Sequence, residues 1–136
     1  MSKEKYFVLD TNILLHSPDC LTGFEDNTLI ISSVVLDELD RHQKDKGDTG
    51  FNARLAKRLL KQFLNGRKEV LLSNGGHIKL LPITIDALDD VKNFLPFGWD
   101  YKYGDNILLY QVSELIKKEN ADCTNRPVFL VTNDIT

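Results

Sequence analysis

A mainly parallel β-sheet of about four strands, with helices on both faces, is the fold this sequence predicts. Three observations lead there. Short runs nearly continuous in apolar residues recur along the chain, as in strands covered on both sides. Longer segments between them repeat their apolar residues at helical spacing. The two kinds alternate, and alternation of this sort builds parallel sheets through helical crossovers.

The elements follow in order. KYFVLD (5–10) is a β-rich run that empties directly into Asp10, and TLIISS (28–33) is a second such run. SSVVLDELDRHQ (32–43) reads as a helix with Ser33 as N-cap and Val34, Val35, Glu38 and Leu39 at helical spacing. FNARLAKRLLKQFL (51–64) places Leu55, Leu59 and Phe63 on one face. EVLLS (69–73) is either a hairpin partner of the third strand, HIKLLP (77–82), or merely extended. TIDALDDVKNFL (84–95) groups Leu88, Val91 and Leu95, and GDNILLYQVSELIKKEN (104–120) aligns Leu108, Val112, Leu115 and Ile116. Asp105 falls in the first turn of that last helix, where a negative charge suits the helix dipole. PVFLVT (127–132) is the fourth strand, and FLVTND (129–134) carries Asp134 at its tip.

The 136 residues fit one domain, 1–136, large enough to bury a core without disulfides or metal staples. An apolar content of 42% with 27% charged residues is that of a globular protein, and the net charge of −3 argues against a protein that coats DNA through a strongly basic surface. Cys20 and Cys123 lack the CxxC spacing of a zinc or redox site, which predicts reduced thiols in a cytoplasmic protein. No segment has the length of a signal peptide's apolar region or a membrane span.

In open parallel sheets ligands sit beyond the carboxyl ends of the strands. Asp10 and Asp134 stand at two such ends, Glu38 lies about one turn into the helix after strand two, and Asp105 opens the last helix. All four acids can face one crevice. Crowded carboxylates repel unless cations occupy them, and hard oxygen donors select Mg2+ or Mn2+. Such a site activates water and stabilises the leaving oxygen of a phosphodiester. Taken singly, Asp105 has a plainer role as a helix cap and Glu38 as a solvated charge beside Asp37 and Asp40. Asp10 and Asp134 each follow an apolar strand directly.

The motifs VLDTN (8–12), VVLDELDR (34–41), GDNILL (104–109) and LVTND (130–134), in this order, resemble the PIN domain family of metal-dependent nucleases. VLDTNILLHSP, ELDRHQK and GFNARLAKRLL look more narrowly like the PIN module that precedes the ATPase of PhoH-type proteins. The resemblance implies a three-layer α/β/α sandwich and cleavage of single-stranded RNA. It implies that Asp10, Glu38, Asp105 and Asp134 form the catalytic metal site for Mg2+ or Mn2+. Asn12 and Thr132 would hold these carboxylates or the attacking water in place. Family members continue past the fourth acid with a helix and an edge strand, so the resemblance leads one to expect a domain truncated at its C-terminal end. An ATPase domain or a protein partner would complete it, and the family often forms homodimers. No GxxxxGK[ST] phosphate loop is present.

Between Arg41 and Lys68 the chain holds nine basic and two acidic residues, a net of +7 against −10 for the rest. Such a segment can track a phosphate backbone beside an acidic pocket, with Arg41, Arg54 and Arg58 the leading contacts, or it is a solvated helix face. In LPFGWDYKYGD (95–105), Tyr101 and Tyr103 suit stacking on unpaired bases, while Phe97 and Trp99 suit packing of the loop onto the domain. His16, His42 and His77 show no metal-ligand spacing. Two other functions compete. A haloacid-dehalogenase-like phosphatase needs a second aspartate two positions after the first, where this chain has Asn12. A PIN-like module could also bind RNA or protein without turnover.

Overall fold

The computed structural model describes residues 4–84, 87–99 and 104–132, with the side chain of Asp105 left out. Five strands form one sheet: β1 (Tyr6–Leu9), β2 (Thr28–Ser32), β3 (Glu69–Leu71), β4 (His77–Leu81) and β5 (Val128–Val131), in the order β3-β4-β2-β1-β5. The pairs β1–β2, β1–β5 and β2–β4 are parallel, and β3 runs antiparallel to β4. The EVLLS segment is thus a hairpin partner, which raises the strand count from about four to five. All five residues of β2 are buried, as the unbroken apolar run of a doubly covered strand requires.

The helices are α1 (Thr11–His16), α2 (Ser33–His42), α3 (Gly47–Leu64), α4 (Ala87–Phe94) and α5 (Gly104–Ala121), with a 3-10 turn at Pro18–Thr22. The chain steps from β1 to β2 to β4 in one direction and then returns past β1 to β5. Right-handed crossovers therefore put α1–α3 on one face and α4–α5 on the other. The reversal makes the carboxyl end of β1 the switch point of the sheet, the place where such folds bind ligands.

Val8, Leu9, Leu29, Ile30, Ile31, Val35, Leu39, Ile78 and Leu108 form the body of the core. Val34, Val91, Leu95 and Ile107 form a smaller one that ties α2, α4 and α5 together. Several local expectations shift. The N-cap of α2 is Ser32, whose hydroxyl accepts the Val34 N–H, while Ser33 accepts the Ile83 N–H at 2.9 Å. On α3 the buried stripe is Ala53, Ala56, Leu60 and Leu64, and Leu55, Leu59 and Phe63 flank it. Small residues let α3 pack closely against both α1 and α2, and alanines are a faint signal in an apolar pattern. Ile116 is exposed on α5. Phe97 is fully exposed rather than packed, because the Trp99 N–H closes a turn onto Pro96 O at 3.1 Å, with Phe97 and Gly98 (φ +90°) at its tip.

At the amino edge of the sheet a polar cluster fastens the end of α5 to β1. Buried Glu119 accepts hydrogen bonds from the Thr124 hydroxyl and from the Arg126 N–H at 3.0 Å, and Arg126 Nη1 donates to the Tyr6 hydroxyl at 2.6 Å. Burial pushes the Glu119 carboxyl up, but these donors and the Arg126 charge outweigh it and leave the group more acidic than an ordinary glutamate. Cys20 and Cys123 are free thiols, and burial pushes Cys20 up to about 11, so it stays protonated near neutrality. Among the described residues no helix is long and apolar enough to cross a membrane.

Candidate active site

Parallel pairing of β1 with β5 sets Leu9 beside Val131, so the residues that follow leave the sheet side by side. Asp10 comes next on β1. Its backbone is extended (φ −77°, ψ 153°) and its N–H donates to Val131 O at 3.0 Å. It occupies the N-cap position of α1, yet its side chain makes no cap hydrogen bond. The carboxylate is instead held from across the chain, where Thr132 Oγ1 donates to Asp10 Oδ2 at 3.0 Å. Only 5% of Asp10 is exposed. An aspartate that serves merely as a cap would turn toward the first N–H groups of its helix. This one is buried and aimed along the carboxyl edge, at the switch point.

Thr11, next to it, is 2% exposed, and its hydroxyl has no hydrogen-bond partner among the described residues. Asn12 is half-buried in the first turn of α1.

Glu38 lies on α2, the helix that leaves the carboxyl end of β2. One of its carboxylate oxygens, Oε1, is buried. The residue against it is Gly104, the first of α5. A Cβ at that position would collide with Oε1 and lie 3.1 Å from the Glu38 carboxyl carbon and 2.9 Å from Val34 Cγ1. Only glycine lets the start of α5 approach so closely. Gly104 is a site residue that the sequence reading left without a role, although the glycine directly before an acid at a helix start was there to be read. The backbone of Asp105 follows immediately, which brings two acidic positions from opposite layers of the sandwich to one place.

The side chain of Asp105, and Asp134, Tyr101 and Tyr103 as a whole, lie outside the described residues. Among the described residues no group of three or more His, Cys, Asp or Glu side chains forms a metal site. The donors that are described nonetheless suit a hard divalent cation, because carboxylate oxygens are the donors such ions take, and Asp10 and Glu38 Oε1 are withdrawn from bulk water.

A pocket of about 490 Å³ opens beside Gly104, with Val34, Ile83, Leu88 and Ile107 as its apolar lining and Asp37, Asp40 and Arg41 on the exposed face of α2. Of the three arginines expected to meet RNA, Arg41 borders this pocket and Arg58 is exposed on α3. Arg54 has a structural task, for its guanidinium donates to Gln43 O at 2.6 Å and braces the turn between α2 and α3. His42 lies 2.7 Å from Asp45, and His77 lies 3.5 Å from Glu69. Both contacts are on the surface, away from the acidic edge.

A family model described as PIN domain matches residues 7–136. The chain is also 33% identical to Protein PhoH2 of Bacillus subtilis (strain 168) over 136 residues, an alignment that takes in 96% of this chain and 29% of that one. The chain therefore spans less than a third of the length of this relative.

Proposed function

The chain belongs to the PIN domain family, whose members are generally metal-dependent nucleases, and on that premise we propose that it is an endoribonuclease. Its substrate is single-stranded RNA, its reaction the hydrolysis of a phosphodiester bond, and its cofactor Mg2+ or Mn2+. The observation that carries this reading is the state of Asp10, buried at the switch point, withheld from capping α1 and fixed by Thr132.

Asp10, Glu38, Asp105 and Asp134 would hold the cation, and Asn12 and Thr132 would orient the carboxylates. When bound, the ion supplies the charge that lowers the pKa of water and offsets charge on the leaving oxygen. The chain's own residues do the rest. The Thr132 hydroxyl fixes the rotamer of Asp10, so that the carboxylate is in place before substrate arrives. Gly104 keeps the start of α5 pressed against Glu38, which narrows the space open to water. Arg41 offers a positive charge beside the pocket that adjoins the acids.

The test is cleavage of an end-labelled single-stranded RNA by the wild-type chain and Asp10→Asn, with Mn2+, with Mg2+ and in EDTA. The expected result is metal-dependent internal cleavage, abolished by EDTA. In Asp10→Asn it falls by more than about 100-fold, beyond the loss that follows from changing an outer hydrogen-bond partner, with the melting curve preserved. Equal cleavage by the variant removes Asp10 from the mechanism and overturns the reading.

A further inference from the structure

We propose that a basic groove, on the opposite flank of α2 from Glu38, anchors the single-stranded RNA away from the acidic edge through Lys61, Arg67 and Lys68. The groove has a volume of about 360 Å³ and lies between α2, α3 and the β3–β4 hairpin. Leu36, Leu60, Leu64 and Leu80 form its floor. Lys57, Lys61, Arg67 and Lys68 ring it, and among the described residues no acidic one lines it.

The charges are not equally available. Lys57 is paired with Asp40 and donates to Gln43 Oε1 at 3.2 Å. Lys61, Arg67 and Lys68 are exposed, and their side chains have no ion-pair or hydrogen-bond partner among the described residues. The structure thus sorts the basic segment, with Arg54 committed to a carbonyl, Lys57 to a carboxylate, and three cations left to face solvent around one depression.

Leu60 and Leu64 are buried, while Leu36 and Leu80 are half-exposed and offer apolar surface to any occupant, so it is the charge of the rim that chooses a polyanion. The ring carries a single sign, which suits a phosphate backbone that presents one negative charge after another.

The groove is separate from the reaction site but on the same side of the sheet. β3 pairs antiparallel with β4, Glu69 beside Lys79, so Arg67 and Lys68 enter the sheet at the carboxyl end of β4. Leu36 and Glu38, two residues apart on α2, point to opposite flanks of that helix. A strand held in the groove must therefore pass over the start of α2, a helix ~10–12 Å across with its side chains, before its scissile phosphate reaches the acids. The anchor should help long strands and leave very short ones indifferent.

This inference rests on the proposed action on RNA, and its test reads binding apart from cleavage. The wild-type chain and the triple variant Lys61→Ala, Arg67→Ala, Lys68→Ala are titrated with a fluorescent 20-mer oligouridylate in EDTA over a range of salt. The dependence of log affinity on log salt should flatten by ~2, since each lost single-strand phosphate contact is worth ~0.7, and affinity at low salt should fall at least tenfold. In Mn2+ the variant should show a raised KM for the 20-mer, an unchanged kcat, and unaltered cleavage of a dinucleotide. Unchanged affinity and salt slope overturn the anchor even if the chain is an active nuclease. Lost affinity for poly-L-glutamate with RNA binding intact also overturns it and assigns the groove to an acidic protein. Binding that depends on the three cations in a chain that cleaves nothing supports the anchor and overturns the nuclease.

Discussion

Gly104→Ala is the sharpest probe of the acidic edge, because it adds one methyl group at the place where two layers of the sandwich meet. The new Cβ would stand 3.1 Å from the Glu38 carboxyl carbon and 2.9 Å from Val34 Cγ1. Ordinary contact between carbon atoms is ~3.5–4.0 Å, so either the carboxylate or the start of α5 retreats by nearly an ångström. Overpacking of this kind costs ~1–3 kcal/mol. Alanine returns up to ~1 kcal/mol through its helix propensity. The net loss of stability is then ~0–3 kcal/mol, up to roughly 10 °C in melting temperature. Activity responds more strongly, since a misplacement of ~1 Å at a catalytic group is worth ~100-fold. The assay pairs urea unfolding with Mn2+ titration and cleavage of labelled RNA. Adding Glu38→Asp, one methylene shorter, should recover part of the Mn2+ affinity in the Gly104→Ala background, a coupling that a double-mutant cycle isolates. A Gly104→Ala chain with wild-type cleavage and Mn2+ affinity refutes the reasoning.

Thr132→Val removes the hydroxyl that donates to Asp10 Oδ2. A hydrogen bond to a charged group is worth ~1.5–3 kcal/mol, so cleavage should fall at least tenfold while the far-UV circular dichroism spectrum stays as it was. Glu119 gives a prediction in pH. Its folded pKa lies below the ordinary value of 4.5, so its stabilising contribution is complete above that value and is lost as pH falls below it toward the folded value. Denaturant midpoints measured from pH 7 to pH 3 should therefore drop less steeply at the acid end in Glu119→Gln than in wild type, on top of a uniform loss of stability. Parallel acid limbs would remove Glu119 from the acid sensitivity.

How far the site could be read in advance differs from residue to residue. Asp10 was legible because an apolar strand that ends on an acid is a local pattern, and the structure leaves that acid buried and turned away from α1. Helical spacing did not separate Glu38 from Asp37 and Asp40, since all three sit on one charged helix, and only the resemblance of the motif VVLDELDR singled it out. What marks it physically is Gly104, which is 66 positions away in the chain and touches it only after folding. Arg54 and Arg58 looked alike in the basic segment, and the turn between α2 and α3 took one of them for a backbone carbonyl. The buried stripe of α3 was misplaced because alanines pack where helices come close, and closeness is not written in a periodic pattern.

By itself, then, the sequence determined the kinds of element and their order, for strand and helix periodicity are properties of neighbouring residues. It also determined that acids stand where strands end. The tertiary structure decided which of these ends become neighbours. The reversal of strand order at β1 sets Thr132 beside Asp10, and the absence of a side chain at Gly104 lets α5 close on Glu38. Such meetings depend on crossovers that span tens of residues, and the free energy that selects them comes from burial shared by the whole core.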